Sequence, residues 1–276
     1  MSPRAGARPR AVPSLILISV ALAGTASAAS PWKALPQDGL FELPVADTRS
    51  ALSRLVFRPG PEGLLIDTGL GADFPLVRWT SGAWSVGTGL EAGVYMDFDA
   101  GGSLTFDLET FDGLFGLPID VASGPWSARV AFSHISAHYG DGVRKDEVRP
   151  TNLDAYSREF VTVPGSRSLG PARVYAGGHA LLHVYPKVPP LMFQVGGELA
   201  PAWRVAPYVA ADLQLAQEFA WAPEIAGQAG AWVKDGRRRL RVAAVARYGH
   251  DDTGKLSLEV ERYVGVLVGF DATGAL

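Results

Sequence analysis

The sequence predicts an all-β protein, a closed antiparallel transmembrane β-barrel of about 12 strands. Three observations predict it. The stretch from Trp84 to Phe98 alternates: Trp84, Val86, Thr88, Leu90, Ala92, Val94, Met96 and Phe98 share one face, and Ser85, Gly87, Gly89, Glu91, Gly93, Tyr95 and Asp97 the other. Strand side chains point alternately to two faces, so this segment is oily on one side and small, polar or acidic on the other. The same two-faced pattern recurs about a dozen times, in segments longer than most strands of soluble domains. Finally, no apolar run of about eighteen residues follows the N-terminal region, so no helix is available to cross a bilayer. Abundant glycine (32 residues) and a mean hydropathy of +0.11 fit an outer-membrane barrel better than a secreted sandwich.

The N-terminus reads as a targeting segment. Arg4, Arg8 and Arg10 form a positive region, Leu15 to Ala23 a short apolar one, and Ala26-Ser27-Ala28 a small-x-small cleavage site. Residues 1–28 are therefore expected to be a signal peptide and residues 29–276 the mature chain, enough for one large domain. Cysteine is absent, which excludes a disulfide scaffold and a lipid anchor on an N-terminal Cys. Removing three of the 25 basic side chains and none of the 28 acidic ones takes the formal charge from −3 to −6. That balance, without a basic block, argues against nucleic acid as a partner.

The elements follow in order. Residues 29–48, with Pro31, Pro36 and Pro44, show no alternation and predict an extended periplasmic lead-in, with entry into the barrel as the other option; the barrel proper is expected over 49–276. Strand one spans about Arg49–Phe57, strand two Leu64–Trp79, and strand three begins at Trp84 after a Ser81-Gly82 turn. In strand four Leu104, Phe106 and Leu108 oppose Thr105, Asp107 and Glu109, and Gly113 marks an expected bulge where the alternation changes phase. Strand five, Pro125–His138, is followed by a polar loop, Tyr139–Asn152, and strand six lies near Tyr156–Val163. Strands seven to eleven alternate clearly; seven sets Arg173, Tyr175, His179 and His183 on the inner face, and eleven sets Arg239, Arg241 and Arg247 there. Strand twelve is Val264 to Phe270. An even count puts both chain ends on one side, and the tight Ser81-Gly82 and Asp235-Gly236 turns then fall on the periplasmic side.

Several blocks carry a family resemblance: Gly71 to Trp79, Val94 to Asp99, Gly113 to Ile119, Phe132 to Asp141, and Tyr175 to Gly178. Together they resemble the bacterial proteins grouped as domain of unknown function 1207. The resemblance implies an outer-membrane barrel and supplies no activity. The last strand, Gly265 to Phe270, resembles the signal by which such barrels are recognised by the insertion machinery, although Asp271–Leu276 continues beyond it. The expected partners are outer-membrane lipids and lipopolysaccharide, that machinery, and an unidentified small solute.

Two features could carry function. Acidic Glu91, Asp97, Asp107 and Glu109 on strands three and four and basic Arg239, Arg241 and Arg247 on strand eleven are expected in the lumen. A wide lumen would set them as opposed walls around a water path, and a narrow one would join them into ion pairs. The leading expectation is accordingly a narrow channel or structural barrel, non-enzymatic. The alternative starts from His134-Ile135-Ser136, whose His and Ser share the outward face, roughly 20 Å along the axis from Trp126 at ~3.3 Å per residue and a tilted strand. This pair resembles the His-x-Ser motif of outer-membrane phospholipases and lipid A deacylases, which implies Ser136 as nucleophile and His134 as base, with Asp141 or Asn152 to orient the imidazole. The motif's following Asn-Gly is replaced here by Ala137-His138. A third, weaker expectation is a binding or adhesion barrel acting through Tyr139–Asn152 and Gly249–Arg262. No metal or cofactor is expected: His134 and His138 should face opposite to His179 and His183, and Asp97 to Gly102 lacks the ligands of a calcium loop.

Overall fold

The computed structural model describes residues 30–60, 63–101, 106–142, 153, 155–235 and 238–272. The expected signal peptide, 1–28, and Asn152 lie outside them. Twelve antiparallel strands form the barrel: β1 (Ser53–Pro59), β2 (Leu64–Ser81), β3 (Trp84–Asp99), β4 (Asp107–Ser123), β5 (Trp126–Tyr139), β6 in two pieces (Tyr156–Thr162 and Gly165–Leu169), β7 (Ala172–Tyr185), β8 (Leu191–Leu199), β9 (Val205–Ala216), β10 (Pro223–Asp235), β11 (Arg238–His250) and β12 (Val260–Ala272). Each pairs with its neighbour in sequence, and β12 returns to β1 with Val268 opposite Leu55. Closure is required physically, because an open edge in lipid leaves backbone groups unpaired. The two pieces of β6 both lie between β5 and β7; Pro164, which has no N–H to offer, sits at the break and accepts from the Arg129 amide.

One rim carries tight reversals, with Gly82, Gly124 and Gly170 at the positive φ these turns demand. The other carries the longer connections. Exposed Trp84, Trp126 and Trp203 ring the turn end, and Tyr185, Trp221 and Tyr248 lie towards the loop end. Between them the outer face is aliphatic, for example Leu117, Ile119, Val130, Val195, Val242 and Val266. Two aromatic girdles around an apolar band are what a barrel in a bilayer needs.

Two segments of the chain enter the lumen. Trp32–Ala34 extends the sheet beside Val77–Trp79 of β2, and the chain then turns inside, burying Phe41, Val45, Ala46 and Ala51. The residues expected as an extended lead-in thus enter the barrel. The Val45 amide donates to Glu198 Oε1 (2.8 Å) and its carbonyl accepts from Gln228 Nε2 (2.6 Å). Val45 and Ala46 pack on Val56, Tyr208, Trp232 and Leu267, while Ala51 packs on Tyr95, Leu114, Ile135 and Tyr156. From the loop end the β11–β12 connection folds inward: Thr253, Lys255 and Ser257 are buried, and the Gly254 amide donates to Asp112 Oδ2 (2.6 Å). The two insertions meet where Arg49 Nε donates to the Asp252 carbonyl (3.2 Å).

Three expectations are corrected. β1 starts at Ser53 instead of Arg49, because Arg49 to Leu52 belong to the inserted segment. The bulge of β4 lies at Glu109 and not at Gly113: Asp97 pairs with Thr110, whereas Phe98 pairs with Leu108. A second bulge, in β7, sets His183 opposite Glu159 but Leu181 opposite Phe160. One extra residue reverses the alternation, so His183 leaves the inner face on which its spacing puts it.

Candidate functional site

β5 keeps perfect alternation along this stretch. Arg129, Ala131, Ser133, Ile135 and Ala137 are buried, which leaves His134, Ser136 and His138 on the outer face. Register then decides their company. His134 lies opposite Phe115 of β4 and Glu159 of β6, and Ser136 lies opposite Gly113 and Ser157. Nδ1 of His134 is 2.9 Å from Oε1 of Glu159, and Nδ1 of His183 is 2.7 Å from Oε2. One carboxylate therefore bridges two imidazoles on the outer face, with side chains 41%, 27% and 82% exposed for His134, Glu159 and His183. A carboxylate accepts the Nδ1–H of its histidine, which leaves Nε2 of His134 with the free lone pair of a base. Among the described residues no hydrogen bond joins Ser136 to His134.

The acid that meets His134 is Glu159, not Asp141, which sits exposed in the turn after β5. Chain distance gives no hint of this pairing, since 25 residues separate the two. A signal is nevertheless present. Tyr156 and Arg158 are inward, so Glu159 is a carboxylate on a face that should be apolar, which is costly in lipid without a partner. The other histidines stand apart: His138 is outward near Phe111, His179 lies against Phe160, and His250 stacks on Phe219.

The lumen charges form ion pairs in place of opposed walls. Arg129 joins Asp73 (2.5 Å), Glu91 (2.9 Å) and Asp120 (2.7 Å). Arg239 and Arg241 share Asp271, each at 2.8 Å, and Arg239 also reaches Glu42 (3.0 Å). Arg247 meets Glu261 and Glu224, and Arg173 meets Glu198 (2.7 Å). Asp97 accepts from Thr110 Oγ1 (3.1 Å). Asp107 lies opposite Asp99, on the face that Asp97 shares, and is exposed at the loop-end rim, and Glu109 is the bulged residue nearby. Arg58 pairs with Asp67 and Glu261, and Arg158 with Glu218.

Near the loop end, ligand oxygens of Asp251, Asp252 and Glu261 lie within 4.8 Å of one another. Guanidinium groups already neutralise this cluster, Glu261 being bonded to both Arg58 and Arg247. Burial, with the charge of Asp252 beside it, pushes the Asp251 carboxyl up to about 6.

A family model covers residues 5–271, almost the whole chain. The chain belongs to the family described as protein of unknown function DUF1207. Among solved structures it is similar to the calcium-bound outer membrane phospholipase dimer of Salmonella typhi, at 11% identity and a TM-score of 0.57, covering 80% of this chain and 91% of that one. It is similar also to outer membrane phospholipase A of Escherichia coli, at 11% identity, TM-score 0.52, and 80% and 90% coverage. An active-site mutant of the Escherichia coli protein gives 11% identity, TM-score 0.53, and 90% and 95% coverage. At this identity the likeness reports the fold: this DUF1207 member is an outer-membrane-type β-barrel. No curated protein matches the sequence.

Proposed function

We propose that this barrel is an outer-membrane lipid hydrolase, with Ser136 as nucleophile, His134 as general base and Glu159 as the group that orients the imidazole. The observation that carries the reading is the Glu159–His134 hydrogen bond on the outer face, two residues from a serine on that same face. A lipid ester in the bilayer reaches this face without entering the barrel. Ser136 Oγ attacks the ester carbonyl carbon while its proton passes to His134 Nε2. The tetrahedral adduct expels the lysolipid alkoxide, which takes the proton from the imidazolium, and a water then cleaves the acyl-serine to free fatty acid by the same route. Glu159 stabilises the imidazolium between these transfers. The serine–histidine bond is absent in the resting molecule and forms as substrate seats, a looseness common before substrate binds.

Export through residues 1–28, with the turn end on the periplasmic side and the loop end outside, would set the site near the outer leaflet, where lipopolysaccharide and phospholipid are the available esters. The other reading is a narrow channel or structural barrel, and the meeting of the inserted segment with the β11–β12 connection inside the lumen favours its structural form. The test is fatty-acid release from phospholipid vesicles by the refolded barrel. Release by wild type, lost in Ser136→Ala and His134→Ala and strongly reduced in Glu159→Gln, is expected. No release by a barrel shown to be folded rejects the proposal.

A further inference from the structure

Resting on that catalytic reading, we infer that Gly113 is its specificity-determining residue: it keeps the exterior beside Ser136 open and admits the acyl chain of the substrate. Gly113 sits directly opposite Ser136 on β4, facing outward. Directly opposed residues bring their side chains to about 5 Å. A side chain here would therefore stand beside the serine hydroxyl, and a Cβ built at Gly113 meets no atom within 4 Å. The omission is not forced by crowding of the fold.

Gly113 opens onto a groove of about 560 Å³ whose outward floor is Val94, Ala92 and Ala72, flanked by Leu70 and Phe115. The groove has a structural cause. Pairing of β1 with β2 runs only as far as Arg54 and Gly69, and Ala34 takes up the same edge at Val77. Between them Ser53 Oγ closes the gap, accepting from the Gly71 amide (3.2 Å) and donating to the Gly71 carbonyl (3.1 Å). Pro75, which has no amide hydrogen to leave unpaired, lies on the same stretch. The barrel surface is shallow there and the groove faces lipid.

The two sides of Ser136 differ in chemistry. Towards β4 lie Gly113 and the apolar groove; towards β6 and β7 lie Ser157, Glu159 and His183. An ester seated at Ser136 fits in one orientation, acyl chain over the groove and glycerol with its polar head over the histidine–carboxylate side. The occupant is a single long acyl chain, since the groove is apolar and opens to the bilayer.

The experiment compares full-length refolded wild type, Gly113→Ala, Gly113→Leu and Ser136→Ala on two esters, a dioleoyl phosphatidylethanolamine vesicle and water-soluble p-nitrophenyl acetate. Filling the space should lower kcat/KM on the long-chain lipid about tenfold or more in Gly113→Leu, and less in Gly113→Ala, with acetate turnover retained. Folding is read from heat-dependent gel mobility; should the leucine variant misfold, the alanine variant carries the same comparison. Unchanged lipid hydrolysis in the folded variants, or equal loss on both esters, overturns the assignment of Gly113 while leaving the catalytic reading intact. Failure of wild type on both esters, with Ser136→Ala no different, rejects the catalytic reading and the assignment together.

Discussion

Asp271→Ala should be among the most damaging single changes in this barrel, and more damaging than removing the larger side chain it binds. Asp271 Oδ2 accepts from Nε of both Arg239 and Arg241 at 2.8 Å, and Oδ1 accepts from Arg241 Nη2 at 3.0 Å. Arg241 is wholly buried and Arg239 nearly so. Loss of the acid leaves Arg241 with neutral partners such as Gln228 and the Val45 carbonyl, and Arg239 with the half-exposed Glu42. Breaking a buried ion pair from one side costs about 3–5 kcal/mol. Arg241→Met makes a smaller wound. Asp271 keeps Arg239, Gln228 Oε1 keeps the Tyr208 hydroxyl, and the Val45 carbonyl keeps Gln228 Nε2. Only Oδ1 of Asp271 loses its partner, which costs about 1–3 kcal/mol. Equilibrium urea unfolding of the refolded barrel in lipid vesicles measures both. An Arg241→Met loss equal to or larger than the Asp271→Ala loss would refute the reasoning, because it would mean that the guanidinium and not its counter-charge holds the lumen.

Other predictions rest on separate contacts. Planar-bilayer recordings of wild type should be flat, and deletion of residues 36–48 should produce conductance steps; steady wild-type current would show that the inserted segment does not seal the lumen. Glu159→Gln should lower ester hydrolysis about 100-fold or more by withdrawing the charge that steadies the imidazolium, whereas His183→Ala, which frees one oxygen of Glu159 and leaves the other on His134, should cost less; an equal loss would make His183 part of the reacting set. Asp251 is held above its usual value, so the folded loop favours its neutral form. That contribution is complete below about pH 4 and is lost as pH rises through about 6. Hydrogen exchange at the Thr253 and Gly254 amides should accordingly quicken over that window, and exchange independent of pH after correction for its intrinsic rate would count against it.

Much of the architecture is legible because a barrel writes its period directly into the chain. Strand five reads correctly through Arg129, Val130, Ala131, Phe132, Ser133 and His134, and the outward position of His134 and Ser136 follows from counting by twos. Counting fails wherever one residue is added. The bulges at Glu109 and in β7 carry no glycine or proline to mark them, so alternation alone places the β4 bulge at the wrong residue and His183 on the wrong face. Glu159 is hidden for another reason: contact across neighbouring strands depends on register, and register depends on a loop whose length does not fix it. The inserted segment is invisible to periodicity altogether. Phe41, Val45 and Ala51 are buried without any repeat, and the backbone of Val45 is held by Glu198 and Gln228, which themselves read only as polar residues of two distant strands.

The meeting of Arg239 and Arg241 with Asp271 ties the order of assembly to the completeness of the chain. The two cations stand on the penultimate strand, their shared anion on the last, and two further partners, Glu42 and Val45, on the segment that precedes β1. These contacts span about 30 residues in one direction and almost 200 in the other. Until β12 is laid down, β11 presents two unmatched charges to a space about to lose its water. A chain lacking β12 therefore meets an electrostatic barrier at the moment of closure, and the pairing of β12 with β1, far apart in sequence, makes that closure slow and late. The last strand thus carries the counter-charge on which closing the barrel depends.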